Sequence, residues 1–258
     1  MVDVSVSLIS LDQHHDLKRL LPSLMSSLKG INMEVLLVDN RSTDNTREFV
    51  LSNYPCINVI VNSESTGYGE NHNINIKRAR GRYVAVMNTD MTVDANVFEQ
   101  LSAFMDEHPD IGVVSPKILN PDGSIQGLNK RYPTIIDLFL RRFWPKRWHR
   151  FVKQRLDYYE MRDVGYDNIY DVPFLSGSFM FCRADLLKSL GGFDLGFFLY
   201  FEDVDLCRRV QKTHRTVYYP GVTAVHYWKR SSHKKLIYLW IFIRSAARYF
   251  WKWGIKIW

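Results

Sequence analysis

The chain has 258 residues, 46% of them hydrophobic, and a formal net charge of +7 with a pI of about 9.2. That length builds one large domain, or two intimate halves, around a core that needs no staples. Three widely spaced cysteines (Cys56, Cys182, Cys207) without a CxxC pair imply neither a disulfide frame nor a zinc site, and fit a reduced, cytoplasmic compartment.

Met1 to Ser5 runs straight into a strand-like pattern, with no basic region or small-residue cleavage site, so no signal peptide is expected. Val4 to Ile9 reads as a strand. Leu17, Leu20, Leu21, Leu24, Met25 and Leu28 follow at helical spacing, with Pro22 inside and Gly30 as a stop. Val35 to Val38 is continuously apolar, as in a strand buried on both faces, and ends in Asp39-Asn40. Ser42 or Asp44 caps a helix towards Tyr54, and Ile57 to Val61 is a third strand. A polar turn at Gly67 leads into a helix over about His72 to Ala79. Tyr83 to Met87 is a fourth strand, ending in Asn88-Thr89-Asp90. Asp94 opens a helix, and Ile111 to Val114 is a fifth strand.

This alternation predicts an α/β fold with a mainly parallel central sheet flanked by helices. Ligands bind beyond the carboxyl ends of such strands, where Asp39 and Asp90 fall. Surface turns use Asp and Asn as well. Two carboxylates at the ends of strands that can be neighbours favour a site.

Past Pro116 the rhythm changes. Lys130, Arg131, Arg141, Arg142, Lys146, Arg147, Arg150, Lys153 and Arg155 crowd a stretch of helical pieces and loop that also carries Trp144 and Trp148. It is either a solvated connector or a surface for an anionic or lipid-linked acceptor. No nucleic-acid motif accompanies the charge, so phosphate-bearing substrate or membrane is favoured over nucleic acid. Ser176 to Phe181 is a strand, and Thr216 to Tyr219 and Thr223 to His226 are two short ones.

Between them, a glycine-rich aromatic run from Gly191 ends in Glu202, Asp203 and Asp205. Acidic residues suit a helix start. They also suit catalysis here, because Phe197, Phe198, Tyr200 and Phe201 make a partly dry edge where a carboxylate becomes a general base.

The C-terminus is apolar over Leu236 to Ile243, too short to span a bilayer. Arg244, Arg248, Lys252 and Lys256 recur every four residues among aromatic residues, which predicts an amphipathic helix in the membrane interface or one docked on protein. Gly254 ends it. A cut after His233 is expected to weaken membrane association and to spare transfer to a soluble acceptor.

Asp90 at a strand end suits a divalent cation, Mg²⁺ or Mn²⁺, shared with phosphate, and His226 is a candidate nitrogen ligand that suits Mn²⁺ better. A lone histidine is more often structural. Asp39 can accept from a base or ribose, and Asp203 can take the proton of an attacking hydroxyl. Together these parts describe displacement of a nucleotide diphosphate from a sugar by an alcohol.

The motifs resemble the family-2 inverting glycosyltransferases, and within them the bacterial rhamnosyltransferase-like group, up to about Trp228. Val38-Asp39-Asn40-Arg41-Ser42-Thr43-Asp44, Gly67-Tyr68-Gly69 through Asn73, Asn88-Thr89-Asp90 in place of Asp-x-Asp, Arg131-Tyr132-Pro133-Thr134 and Gly191 to Arg209 carry the resemblance. It implies a GT-A-type nucleotide-diphospho-sugar transferase fold, with a nucleotide half over 1–115, an acceptor half over 116–228 and a basic aromatic tail over 229–258. It implies Asp203 as catalytic base; Ser10, Asp39, Asn40, Gly67, Asn73 and Asn88 on the nucleotide-sugar; Asp90 and His226 on the metal; and Arg131, Gly177, Glu202 and Arg209 on the acceptor side. The implied donor is dTDP-L-rhamnose. The implied acceptor is a GlcNAc on a polyprenyl diphosphate at the cytoplasmic face of the inner membrane, where the protein is peripheral. A UDP- or GDP-sugar donor stays open. So does a non-catalytic basic module for glycan or nucleic acid, which the ordered acidic sites disfavour. A sugar-nucleotide pyrophosphorylase is disfavoured because Ser10 to His15 lacks the glycines of a phosphate loop.

Overall fold

The computed structural model describes residues 1–28, 30–145, 148–228 and 236–258, with His149 described by its backbone alone. Lys146 and Arg147, the expected start of the tail at 229 and the cut after His233 lie outside the described residues.

The first half follows its apolar rhythm. β1 (Val4–Ser10), β2 (Met33–Asp39), β3 (Asn58–Val61) and β4 (Tyr83–Met87) alternate with α1 (His14–Ser27), α2 (Thr46–Asn53) and α3 (Tyr68–Arg78). β1 pairs in parallel with β2 and β4, and β2 with β3. Successive residues point to opposite faces of a strand. So Val35 and Leu37 join Leu17, Leu20, Leu21 and Leu24 of α1 in one core, while Leu36 joins Ile76 of α3 in the other. Pro22 lies within α1 without ending it. Asp44 supports the start of α2, its Oδ1 accepting from the Thr46 N–H at 3.0 Å.

Asp94 does not open a helix. β5 (Met91–Val93) follows β4 almost at once, and α4 (Val97–Glu107) starts three residues after Asp94. The Asp94 carboxylate instead accepts from the Thr223 backbone N–H at 3.3 Å. β6 (Ile111–Leu119), α5 (Ile135–Phe143), α6 (His149–Tyr159), β7 (Tyr170–Asp171), β8 (Phe179–Arg183), α7 (Ala184–Ser189), α8 (Glu202–Val210), β9 (Arg215–His226) and α9 (Leu236–Trp253) complete the chain.

The strand order is β3-β2-β1-β4-β8-β6-β9-β5, with β7 on β9. β8 runs antiparallel between β4 and β6, and β5 and β7 run antiparallel to β9. The sheet is therefore mixed, with β1, β2, β3, β4, β6 and β9 sharing one direction. The expected division at residue 115 falls inside β6, so one sheet runs through both halves. The two short strands expected over 216–226 are one strand, interrupted where its pairing with β6 shifts between Tyr219 and Thr223.

The basic sector expected on α9 divides. Arg244 is exposed, whereas Arg248 and Lys252 turn inward onto Asp194, at 3.0 and 2.7 Å. Lys252 also reaches Asp205 at 2.7 Å, and Lys256 lies beyond the helix end at Gly254. These pairs hold the Asp194 carboxyl low, at about 2, against the opposing effect of burial. Tyr249 and Phe250 of α9 pack with Phe197, Phe201 and Val204, so the rear of α9 is docked against α8 and the aromatic loop before it.

Candidate active site

The carboxyl ends of β1, β2, β4 and β9 and the start of β8 meet at one edge of the sheet. Ser10 is paired with Asp39, Met87 with Phe179, and Met91 with His226. On the expected donor side, Asp39 Oδ1 accepts from the Ser42 N–H at 2.8 Å. Ser10 Oγ is buried and has no hydrogen-bond partner among the described residues. Asn40 ties the 62–66 loop, accepting from the N–H of Thr66 and donating to its carbonyl. Asp12, which the sequence did not single out, accepts from the Thr43 N–H at 2.6 Å and shapes the same loop.

Gly67 starts α3 against the aromatic loop. A Cβ there would lie 2.6 Å from the Phe198 carbonyl oxygen, which accepts from the Tyr68 N–H at 2.9 Å. Asn73 closes the same contact lower down: its amide donates to the Phe193 carbonyl and accepts from the Phe193 N–H, each at 2.8 Å. Gly192 makes this approach possible, with φ +71° and a virtual Cβ only 2.1 Å from Asn73 Oδ1. Asn73 is thus committed to the protein.

Asp90 and His226 come together. Gln126 Nε2 donates to Asn120 Oδ1, whose own amide donates to Ser124 Oγ, so Gln126 presents Oε1 to His226 Nδ1 at 2.6 Å. Nδ1 therefore carries a proton. Nε2 then faces Asp90 Oδ1 at 3.1 Å. A bare Nε2 lone pair against a carboxylate oxygen needs either a second proton or a cation held by both groups. The pair fits a divalent cation in ligand type, with Gln126 orienting the imidazole from behind. Among the described residues no third His, Cys, Asp or Glu joins them, and substrate phosphate and water are ordinary further ligands for such a cation. His226 also lines a cleft of about 300 Å³ with Arg19, Asn120 and Trp228.

The expected base stands at the start of α8. Tyr200 and Phe201 both adopt left-handed backbone, φ +70° and +68°, a strained conformation for bulky residues that the buried aromatic cluster holds in place. The chain thus turns sharply into Glu202 and Asp203. Asp203 Oδ2 accepts from the Gly177 N–H at 3.0 Å and Oδ1 from the Val204 N–H at 2.9 Å. Burial raises the Asp203 carboxyl, opposed by those bonds and by Lys130. Glu202 is 5% exposed with Oε2 unpartnered, and burial together with the Asp203 charge pushes it well up. A carboxyl raised in this way is retained in its neutral form beside an ionised neighbour.

Tyr68 links the two centres. Its hydroxyl lies 2.7 Å from the Gly177 carbonyl and 3.2 Å from Asn88 Oδ1, and Gly177 holds Asp203 through its own N–H. Burial, with negative charge on the neighbouring acidic groups adding to it, pushes its phenol well up. Asn88 is further tied by its N–H to the carbonyl of Ser178, just before β8. The Gly67-Tyr68-Gly69 motif includes this residue, but the sequence assigned it no role.

Arg131 and Arg209 sit in internal clasps. Arg131 pairs in bidentate fashion with Asp163, both bonds 2.8 Å, and covers the Tyr158 ring. Arg209 binds Asp205 and the carbonyls of Leu190 and Gly192, fastening the glycine turn before the aromatic loop. The lysine beside Arg131 is the one turned inward. Lys130 is 6% exposed, its Nζ lies 4.6 Å from the Phe174 ring centre, and burial lowers it to about 7.

Carboxylates and polar groups at the strand ends of a mixed sheet face a buried carboxyl pair across one tyrosine, an arrangement in keeping with the GT-A fold. The glycosyl transferase family 2 model matches residues 5–191, and the chain belongs to that family. Over 234 residues it is 30% identical to N-acetylglucosaminyl-diphospho-decaprenol L-rhamnosyltransferase of Mycobacterium tuberculosis, covering 84% of this chain and 73% of that one. Among solved structures, S. aureus TarS 1–349 superposes with a TM-score of 0.60 at 19% identity, over 88% of this chain and 60% of that one. GalNAc-T7 with UDP, GalNAc and Mn²⁺ superposes with a TM-score of 0.65 at 16% identity, over 90% of this chain and 45% of that one. At such identities the structural likeness speaks for the fold.

Proposed function

We propose that this family-2 glycosyltransferase moves L-rhamnose from dTDP-L-rhamnose onto a hydroxyl of a GlcNAc carried on a polyprenyl diphosphate, in bacterial surface polysaccharide assembly. The observation that carries the reading is Tyr68, whose single O–H lies within reach of both the Gly177 carbonyl and Asn88 Oδ1, between the strand edge holding Asp90 and His226 and the expected base. The 30% identity with a protein named N-acetylglucosaminyl-diphospho-decaprenol L-rhamnosyltransferase supports L-rhamnose as the sugar moved and a GlcNAc-diphospho-lipid as the acceptor.

In this reading the acceptor oxygen attacks the anomeric carbon as the bond to the nucleoside diphosphate breaks, and configuration inverts. Asp203 takes the hydroxyl proton, oriented by the N–H groups of Gly177 and Val204. The upward push on Glu202 disfavours a second negative charge beside the base. Ser10 and Asp39 face the nucleotide. A divalent cation, Mg²⁺ or Mn²⁺, held by Asp90 and His226 would neutralise charge on the departing diphosphate. The enzyme works as a peripheral protein at the cytoplasmic face of the inner membrane.

The test is transfer to a GlcNAc-diphospho-lipid with dTDP-rhamnose, UDP-sugars and GDP-sugars offered separately, each with Mn²⁺ or chelator. Product from dTDP-rhamnose alone, and only with metal, is the expected result. Preference for another donor overturns the donor assignment, and full activity under chelation overturns the metal assignment.

A further inference from the structure

We propose that α5 and the leading half of α9 together form a face that docks on an anionic lipid bilayer, fixed in orientation to the catalytic helix. No helix among the described residues is long and apolar enough to cross a membrane, so such contact has to be made at the surface. On α9, Leu236, Ile237, Trp240 and Ile243 are 54–84% exposed, at a spacing that places them on one side of the helix. On α5, Ile135, Phe139 and Phe143 recur every four residues and are 43–53% exposed. A row of this kind on one helix is ordinary; here two such rows lie on helices that touch.

The two helices touch. Arg142 of α5 lies 5.2 Å from the Phe242 ring centre of α9. Leu138 and Phe242 pack on the same aromatic cluster, and the Ile135 N–H donates to the Lys256 carbonyl at 3.0 Å. The chemistry of the rim selects the occupant. Arg244 is exposed beside Trp240, and Arg141 and Arg142 border the α5 row. Tryptophan, phenylalanine and arginine in one band suit the headgroup boundary of an anionic bilayer. A second copy of this chain would bring the same positive charge onto itself.

The rear of α9 fixes this face to the site. Arg248 and Lys252 hold Asp194, and Ser245 Oγ donates to the Leu199 carbonyl at 2.9 Å. The loop so held carries exposed Leu195 and Phe198 and leads directly into Glu202 and Asp203. This inference deepens the reading of a lipid-linked acceptor and rests on it: a bilayer under α5 and α9 brings that acceptor to the aromatic loop.

The experiment is sedimentation of the full chain with vesicles of phosphatidylcholine, or of equal parts phosphatidylcholine and phosphatidylglycerol. Two double variants are compared, F139S/F143S on α5 and W240S/I243S on α9, with R244E as a charge probe. Melting temperatures confirm folding, and transfer to a short-chain soluble acceptor is followed in parallel. Binding to the anionic vesicles is expected, falling about tenfold for each double variant and also for R244E, with soluble transfer unchanged. Three outcomes overturn the proposal: no preference for anionic vesicles, loss confined to the α9 variant, or a wild-type dimer in solution that the same substitutions dissociate. Vesicle binding is read without catalysis, so a failed donor assignment and a failed docking face give different results.

Discussion

Replacing Asp203 by Asn lowers turnover by about 10³-fold and leaves donor affinity within about twofold. The amide keeps the volume and its one oxygen can still accept the Gly177 N–H, so the cost at the start of α8 is limited to the bond from the Val204 N–H and the donor edge is undisturbed. What disappears is the group that takes the acceptor proton. The same residue sets the acid side of the pH profile. Burial raises its carboxyl, so activity falls on acidification at a pH above the ordinary aspartate value of about 3.9. Lys130 opposes that rise, and removing its positive charge in Lys130→Met moves the acid limb to still higher pH. Turnover against pH for the wild type and Lys130→Met, with donor binding by calorimetry for Asp203→Asn, checks all three. Near-normal turnover in Asp203→Asn would remove it as the base.

Asp90→Ala carries the second large effect, a loss of about 10²–10³-fold in transfer. Asp90 is the carboxylate that faces His226 Nε2, and its loss leaves a single protein ligand for a cation beside the diphosphate. His226→Ala costs less, about 10–100-fold, because Asp90 remains and substrate phosphate can fill the coordination. Both variants are expected to need more Mn²⁺ for half-maximal rate. Metal titration of the rate, with Mn²⁺ binding followed by electron paramagnetic resonance, distinguishes the alternatives. If the pair is joined by a proton instead, neither variant shifts the metal requirement.

The strands that build the donor edge were legible because their signals are local. Val35 to Val38 and Tyr83 to Met87 are apolar throughout, and a short polar run ends each. Asp39, Asp90 and His226 could be placed at strand ends for that reason. β5 is three residues long, below any periodicity, and the insertion of β8 between β4 and β6 is a pairing over nearly a hundred residues that no local pattern encodes. The same limit applies to side chains. The sequence showed Arg131 and Arg209 beside motifs but could not show Asp163 and Asp205 consuming their charge. Lys130 looked like one more surface cation until the fold buried it. On α9, a four-residue repeat predicted one basic sector, which the fold divides between exposed Arg244 and the inward-turned Arg248 and Lys252. The partner of the inward pair was hidden, because Asp194 lies about fifty residues earlier in the aromatic loop.

The reaction itself is tested most directly by the anomeric configuration of its product. Rhamnose transferred from dTDP-L-rhamnose to the GlcNAc-diphospho-lipid is followed by proton NMR from the first turnovers. A single displacement with Asp203 as base predicts a glycoside of configuration opposite to that of the donor. A product that retains the donor configuration would contradict it, and would require a nucleophile on the opposite face of the sugar.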